Sequence, residues 1–278
     1  IPARPRPVAP RRWSPMSEAS GEELSISVVI PARNEAADIR ATLERCLAID
    51  YDAKEIIVVD DSTDETPEIV SEYADRGVRL IHREVNQDAC CGARNVGIRS
   101  ARGDVVVLLN ADAHPARDFL SRIARHYAQG ADWLVVRSQV ANTDTLWGRY
   151  LYAQEKVNWQ GRPFEPFWSE GVSFRRAAAE AVGGIPGSFS VRFCRDNMLG
   201  VAFDEAGFTK QVDAAIQMDH VVPDRFSSFW HHRVWRGTMY PPNFFYFRGA
   251  APPAIALREA AKLCLLYTSD AADDYFWV

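Results

Sequence analysis

Four short β-rich runs punctuate the first half of the chain: Ser25–Pro31 (SISVVIP), Glu55–Val59 (EIIVV), Val78–Ile81 and Val105–Leu109 (VVVLL). Runs with so little polar alternation suit strands buried on both faces of a parallel sheet. Between them the apolar period changes. Ile39, Leu43, Cys46 and Leu47 fall on one helical face. Thr66 is placed to cap a second helix, with Pro67 at its first position. Cys90–Ala101 reads as a third. After the fourth run, Pro115 is expected to open a helix carrying Phe119, Leu120, Ile123 and Tyr127. Strand and helix thus alternate four times in about 110 residues, which means crossover units. The expected fold class is α/β. A mainly parallel central sheet with helices on both faces covers residues 25–125, and a mixed half covers residues 126–245 of the same domain.

The second half is less regular. Ala131–Asn142 contains a further β-rich run, and Thr145–Val157 carries Leu146, Tyr150 and Ala153 at helical offsets. Residues 158–175 are rich in aromatics, Gly and Pro, which suits either stacking on sugar rings or core packing. Ala206-Gly207-Phe208 reads as a helix stop, and Gln211–Gln217 as a strand ahead of Met218-Asp219-His220.

Composition narrows the classes. The chain has 278 residues, is 47% hydrophobic and carries a net charge of −5, which argues against a nucleic-acid binder working through bulk charge. No apolar run reaches the length of a membrane span, and there is no hydrophobic signal segment. The five cysteines lack metal-type spacing and read as reduced thiols, giving a cytoplasmic expectation. Residues 1–24, rich in Pro and Arg and starting at Ile1, are expected to be disordered. Residues 246–278 form a tail, within which 264–274 (CLLYTSDAADD) reads as translated adapter sequence. A native continuation, with any membrane helices, would then be missing, leaving membrane association at the inner face through that region as an expectation.

The candidate chemistry lies at strand ends. Three polar clusters, Pro31–Glu35, Asp60-Asp61 and Asn110–Asp112, follow three of the expected strands. Crossover topology gathers such clusters on one rim, where ligands bind in open α/β sheets. Neither a Gly-x-Gly-x-x-Gly turn nor a Gly-Lys-Ser/Thr loop is present, so no glycine loop cradles a phosphate. The remaining way to neutralise a diphosphate is a metal on carboxylates helped by arginine, with Asp112 and Arg94 as candidates. Asp112 could equally be a helix cap.

SVVIPARNE, IIVVDDSTDET, GARNVGI and ARGDVVVLLNADAHP stand in the order and spacing of family 2 glycosyltransferases. Residues 26–125 resemble the nucleotide-binding half of such an enzyme, with its Rossmann-like GT-A fold. The resemblance implies an inverting transfer from a UDP- or GDP-linked sugar to a saccharide or lipid-linked acceptor, with Mn²⁺ or Mg²⁺ as cofactor. It places Pro31, Arg33, Glu35, Asp60, Asp61, Arg94, Asn110 and Asp112 around the nucleotide, with Asp61 at the base, Arg94 near the diphosphate and Asp112 on the metal. His220 matches a third metal ligand by position; a structural histidine is the other reading. Glu170 and Gly171 match the strand lining the donor sugar, and Arg233 and Arg236-Gly237 match an Arg-x-x-Arg-Gly helix end. Asp196 takes the place of the general base, a role compatible with capping the helix after it. Two departures stand out: Asn110 and Arg195 occupy positions where the family has acids. They motivate a second reading, a nucleotide-sugar-binding protein without catalysis. A sugar nucleotidyltransferase ranks lower, because its Gly-rich loop after the first strand is missing.

Overall fold

The computed structural model describes residues 23–84, 89–159, 170–185, 197–231 and 233–234. Four strands, β1 (Ile26–Ala32), β2 (Lys54–Asp60), β3 (Val78–His82) and β4 (Val105–Leu108), run parallel in the order β3-β2-β1-β4. Their side chains alternate between two covered faces. Val28, Ile30 and Val58 join a core with Ile39, Leu43 and Cys46 of helix α1 (Ile39–Leu47) and Val70 of α2 (Thr66–Ser71). Val29 and Val59 point the other way, against Gly97 of α3 (Ala89–Ser100). Both faces are therefore apolar, which is why the runs show no polar alternation.

Gly97 sets the spacing of α3 on the sheet. A Cβ there would lie 2.2 Å from Val29 Cγ1. Gly97→Ala is expected to destabilise the protein by about 1–3 kcal/mol through overpacking. The roughly 1 kcal/mol gained in helix propensity offsets part of this, leaving a net loss of up to about 2 kcal/mol. Urea unfolding with an unchanged or raised midpoint would refute it.

The sheet continues through β7 (Ser173–Arg175), β6 (Trp133–Val140), β8 (Lys210–His220) and β5 (Ala113–Pro115), in that order after β4. The pairs β4–β7, β6–β7 and β5–β8 are antiparallel, so the eight-stranded sheet as a whole is mixed. Pro115 does not open a helix. It ends β5, paired with Met218, and helix α4 starts only at Phe119 (Phe119–Ala128). The strand lies at the sheet edge, where a residue without an N–H is tolerated. Phe119, Leu120, Ile123 and Tyr127 of α4 are buried as their spacing requires. Buried Arg175 donates to the carbonyls of Tyr127 and Ala131, satisfying acceptors around the end of that helix. Helix α5 is Leu146–Trp159, α6 is Arg176–Val182, and α7 (Asn197–Glu205) stops before Gly207 at φ 74°.

The chain divides into two compact units, residues 1–139 with 167–220, and residues 140–166 with 221–278. The first holds the sheet. Within the second, Trp147 stacks on Phe229 at 4.5 Å, and Asn142 exchanges hydrogen bonds with the backbone of Val222. Among the described residues no helix is long and apolar enough to cross a membrane. The expectations for residues 1–24, except Glu23 and Leu24, and for residues 246–278 lie outside the described residues.

Candidate active site

The carboxyl ends of β1, β2 and β4 bring the three polar clusters to one rim. Ala32 pairs with Asp60, and Val29 with Leu108, so the residues after each strand are neighbours. Asn34, at φ 58°, turns the chain after β1. Its N–H donates to Ser62 Oγ at 2.7 Å and its Oδ1 accepts from the Thr63 N–H at 2.9 Å, tying the first cluster to the second. Pro31 is half-buried at the end of β1 and Arg33 is exposed beyond it. Thr66 does not cap α2. Its hydroxyl donates to Asp64 and accepts the Glu35 N–H at 2.9 Å, while Asp64 Oδ1 takes the Thr66 N–H.

Asp60 is fully buried and satisfied, with Ser62 Oγ at 2.5 Å and His82 Nδ1 at 2.7 Å. Asp61 meets Arg83, with Nε at 2.5 Å from Oδ1 and Nη2 at 2.7 Å from Oδ2. Sequence reasoning missed Arg83, which belongs to no motif. The signal was topological: Asp60 pairs with His82, so the next residues of β2 and β3 face each other.

At the end of β4 the chain turns through Asn110, Ala111 and Asp112. Thr42 of α1, which no motif marked, donates to the Ala111 carbonyl at 2.6 Å inside the protein and fixes the turn from below. The pairing of Ala113 with His220 then brings two distant residues together: His220 Nε2 lies 3.0 Å from Asp112 Oδ2. His220 Nδ1 is 3.7 Å from Glu170 Oε2. Asn110 donates through Nδ2 to Glu170 Oε1 at 3.3 Å and accepts from Arg94 Nη2 at 3.1 Å. Gly171, at φ 82°, donates its N–H to the Leu108 carbonyl and thereby seats Glu170 beside Asn110. Arg94, Asn110, Asp112, Glu170 and His220 are thus one cluster. The amide of Asn110 can serve both a cation and a carboxylate, which a carboxylate there could not do without protonation.

Asn95, next to Arg94, exchanges two 2.8 Å hydrogen bonds with the backbone of Ile185. Arg233, in the second unit, donates to Gln154 Oε1 at 2.6 Å and lies over the Phe229 ring. Asp196, Arg195 and Arg236 lie outside the described residues.

The cluster has the chemistry of a divalent-cation site. Asp112 Oδ1 is buried without a hydrogen-bond partner, while a carboxylate and an imidazole together suit Mn²⁺ or Mg²⁺. Among the described residues no group of three or more His, Cys, Asp or Glu could hold a metal by itself. The remaining coordination would have to come from outside these two side chains.

Burial, and then the nearby carboxylates of Asp112, Asp38 and Asp64, push Glu35 up to about 7, with His220 pulling the other way. Its folded state therefore holds a proton that the unfolded chain releases near 4.5. Stability from this group is complete below that pH and is lost as pH rises through about 7. Glu35→Gln should raise the melting temperature at pH 8, by the equivalent of about 1–3 kcal/mol, and leave it unchanged at pH 4. Equal shifts at both pH values, measured without nucleotide or metal, would refute this.

The family model of glycosyl transferase family 2 matches residues 27–182, which contain every element of this rim except β8. The chain belongs to glycosyl transferase family 2. Curated relatives agree. Succinoglycan biosynthesis protein ExoO of Rhizobium meliloti (strain 1021) is 33% identical over 183 residues, covering 65% of this chain and 51% of that protein. Undecaprenyl-phosphate 4-deoxy-4-formamido-L-arabinose transferase of Pseudomonas aeruginosa (strain PAO1 among others) is 33% identical over 135 residues, 45% of this chain and 38% of that one. The chain spans about half the length of ExoO, and 38% of the Pseudomonas transferase. Two solved structures share the family fold. Mannosyltransferase PcManGT from Pyrobaculum calidifontis, in complex with GDP-Man and Mn²⁺, superposes with a TM-score of 0.59 at 20% identity, over 97% of this chain and 86% of that one. S. aureus TarS 1-349 in complex with UDP-GlcNAc gives 0.58 at 18% identity, over 74% and 61%.

Proposed function

We propose that the protein is an inverting glycosyltransferase that moves a sugar from a nucleoside-diphosphate sugar to an acceptor hydroxyl. The observation that carries this reading is the pairing of Asp112 with His220 on the rim, beside Arg94 and with Asp112 Oδ1 left unpartnered. Asp112 and His220 would hold Mn²⁺ or Mg²⁺. When bound, the ion supplies charge neutralisation for the departing diphosphate. Arg94 adds a fixed positive charge there, and Asn110 and Glu170 hold it in place. Asp61 binds the base, and the Pro31–Glu35 turn borders the nucleotide.

Asp196 is assigned as general base from its match to the family pattern. It takes the acceptor hydroxyl proton as the oxygen attacks the anomeric carbon. The bond from that carbon to the phosphate oxygen breaks on the opposite face, and the nucleoside diphosphate leaves. A lipid-linked acceptor accords with the relative named for undecaprenyl phosphate, and would bring the enzyme to the inner face of a membrane. A panel of nucleotide sugars, with and without Mn²⁺, tests the reading by mass spectrometry. Metal-dependent release of a nucleoside diphosphate is expected. Tight binding without turnover for every donor and acceptor would instead favour the non-catalytic binding protein.

A further inference from the structure

We infer that Arg83 sets the nucleobase specificity of the site, restricting Asp61 to a base that offers it a single N–H donor, the imide of uracil. This rests on the nucleotide-sugar reading proposed above. Arg83 approaches Asp61 side-on, Nε to one oxygen and Nη2 to the other, at 2.5 and 2.7 Å. A carboxylate has about four acceptor positions, and such a fork takes the two on its shared edge. The two left over, one per oxygen, point apart. Guanine presents N1–H and the 2-amino group side by side and needs that shared edge to bind both. Uracil presents only N3–H, which one remaining position can satisfy. Cytosine presents a lone pair at N3 and is repelled.

The clasp is built to persist. The Asp61 side chain is 3% exposed and that of Arg83 15%, so water competes poorly for either partner. The Arg83 N–H also donates to the Asp60 carbonyl at 2.8 Å, extending the β2–β3 ladder and fixing both side chains at their roots. Separating a pair this buried would strand a charge, so a base with two donors is not expected to displace it.

Calorimetric titration of the full chain with UDP, GDP, IDP and CDP in Mn²⁺ tests the inference. UDP should bind at least about tenfold more tightly than GDP, and CDP most weakly, following the discrimination that bidentate contacts provide. IDP lacks the 2-amino group and offers a single imide N–H, as uracil does, so it should bind more tightly than GDP, whose 2-amino group finds no acceptor. Arg83→Lys keeps the charge but cannot fork. It should narrow the preference for UDP over GDP to within about threefold and restore an advantage of GDP over IDP. GDP binding as tightly as UDP, or much more tightly than IDP, in the unmodified protein would overturn the inference without any variant. An unchanged preference in a folded Arg83→Lys protein would overturn it too. If no nucleotide binds, the nucleotide-sugar reading itself fails, and this inference with it.

Discussion

Asp112→Ala is expected to lower turnover by about 10²–10³, the usual cost of removing one preorganised group that stabilises developing charge. Donor affinity should become insensitive to Mn²⁺ in the same variant. Both effects have one origin. Asp112 Oδ1 is a buried acceptor without a partner, and Oδ2 is held by His220, so the side chain contributes little to folding that another residue could not replace. In the function proposed above, its value lies in the charge it would present to a divalent cation. His220→Asn should weaken the metal response in the same direction and by less, because the carboxylate remains. The check is donor calorimetry with and without Mn²⁺ beside steady-state transfer rates. An Asp112→Ala protein with normal turnover and a normal Mn²⁺ response would exclude a cation at this turn.

Asp196→Asn should cost about 10²–10⁴ in kcat through loss of the general base. Donor binding should hardly change, because the residue is assigned to the acceptor. The substitution also separates catalysis from capping. Asn caps a helix about as well as Asp, so a purely structural Asp196 predicts wild-type stability and wild-type turnover. Arg195→Glu supplies a second arm. A neighbouring carboxylate should raise the pKa of Asp196 by like-charge repulsion, moving the acidic limb of the rate profile upward. If Asp196→Asn abolishes donor binding instead, the residue is a donor ligand and the base must be sought elsewhere.

The parallel half was legible because its signal is local. Val28, Val29, Ile30 and Val105–Leu108 are apolar at every position since both faces of those strands are covered, and that pattern needs no knowledge of partners. Asp112 and His220 were each marked by position, and the β5–β8 register brings them together. Pro115 was misread for the opposite reason. Proline ahead of a helical pattern is a strong start signal, yet its place is decided by Met218, far along the chain. Thr66 was read as a cap from its own neighbourhood, while its acceptor duty is toward Glu35, in another cluster. Thr42 and Arg83 escaped notice because a threonine on a helix and an arginine after a strand carry no motif. Only the sheet order turns them into parts of the rim. Glu170 was assigned to the sugar, and its two oxygens face Asn110 and His220.

The union of β5 with β8 has a consequence for the order in which the molecule is made. Asp112 and His220 are 108 residues apart, whereas the strands of the parallel half are joined by short crossovers. A chain leaving the ribosome can pair β1 with β2 and β4 well before residue 220 exists. The last long-range closure is slow relative to those local ones. A growing chain therefore assembles the rim of β1, β2 and β4 early and brings His220 to Asp112 late.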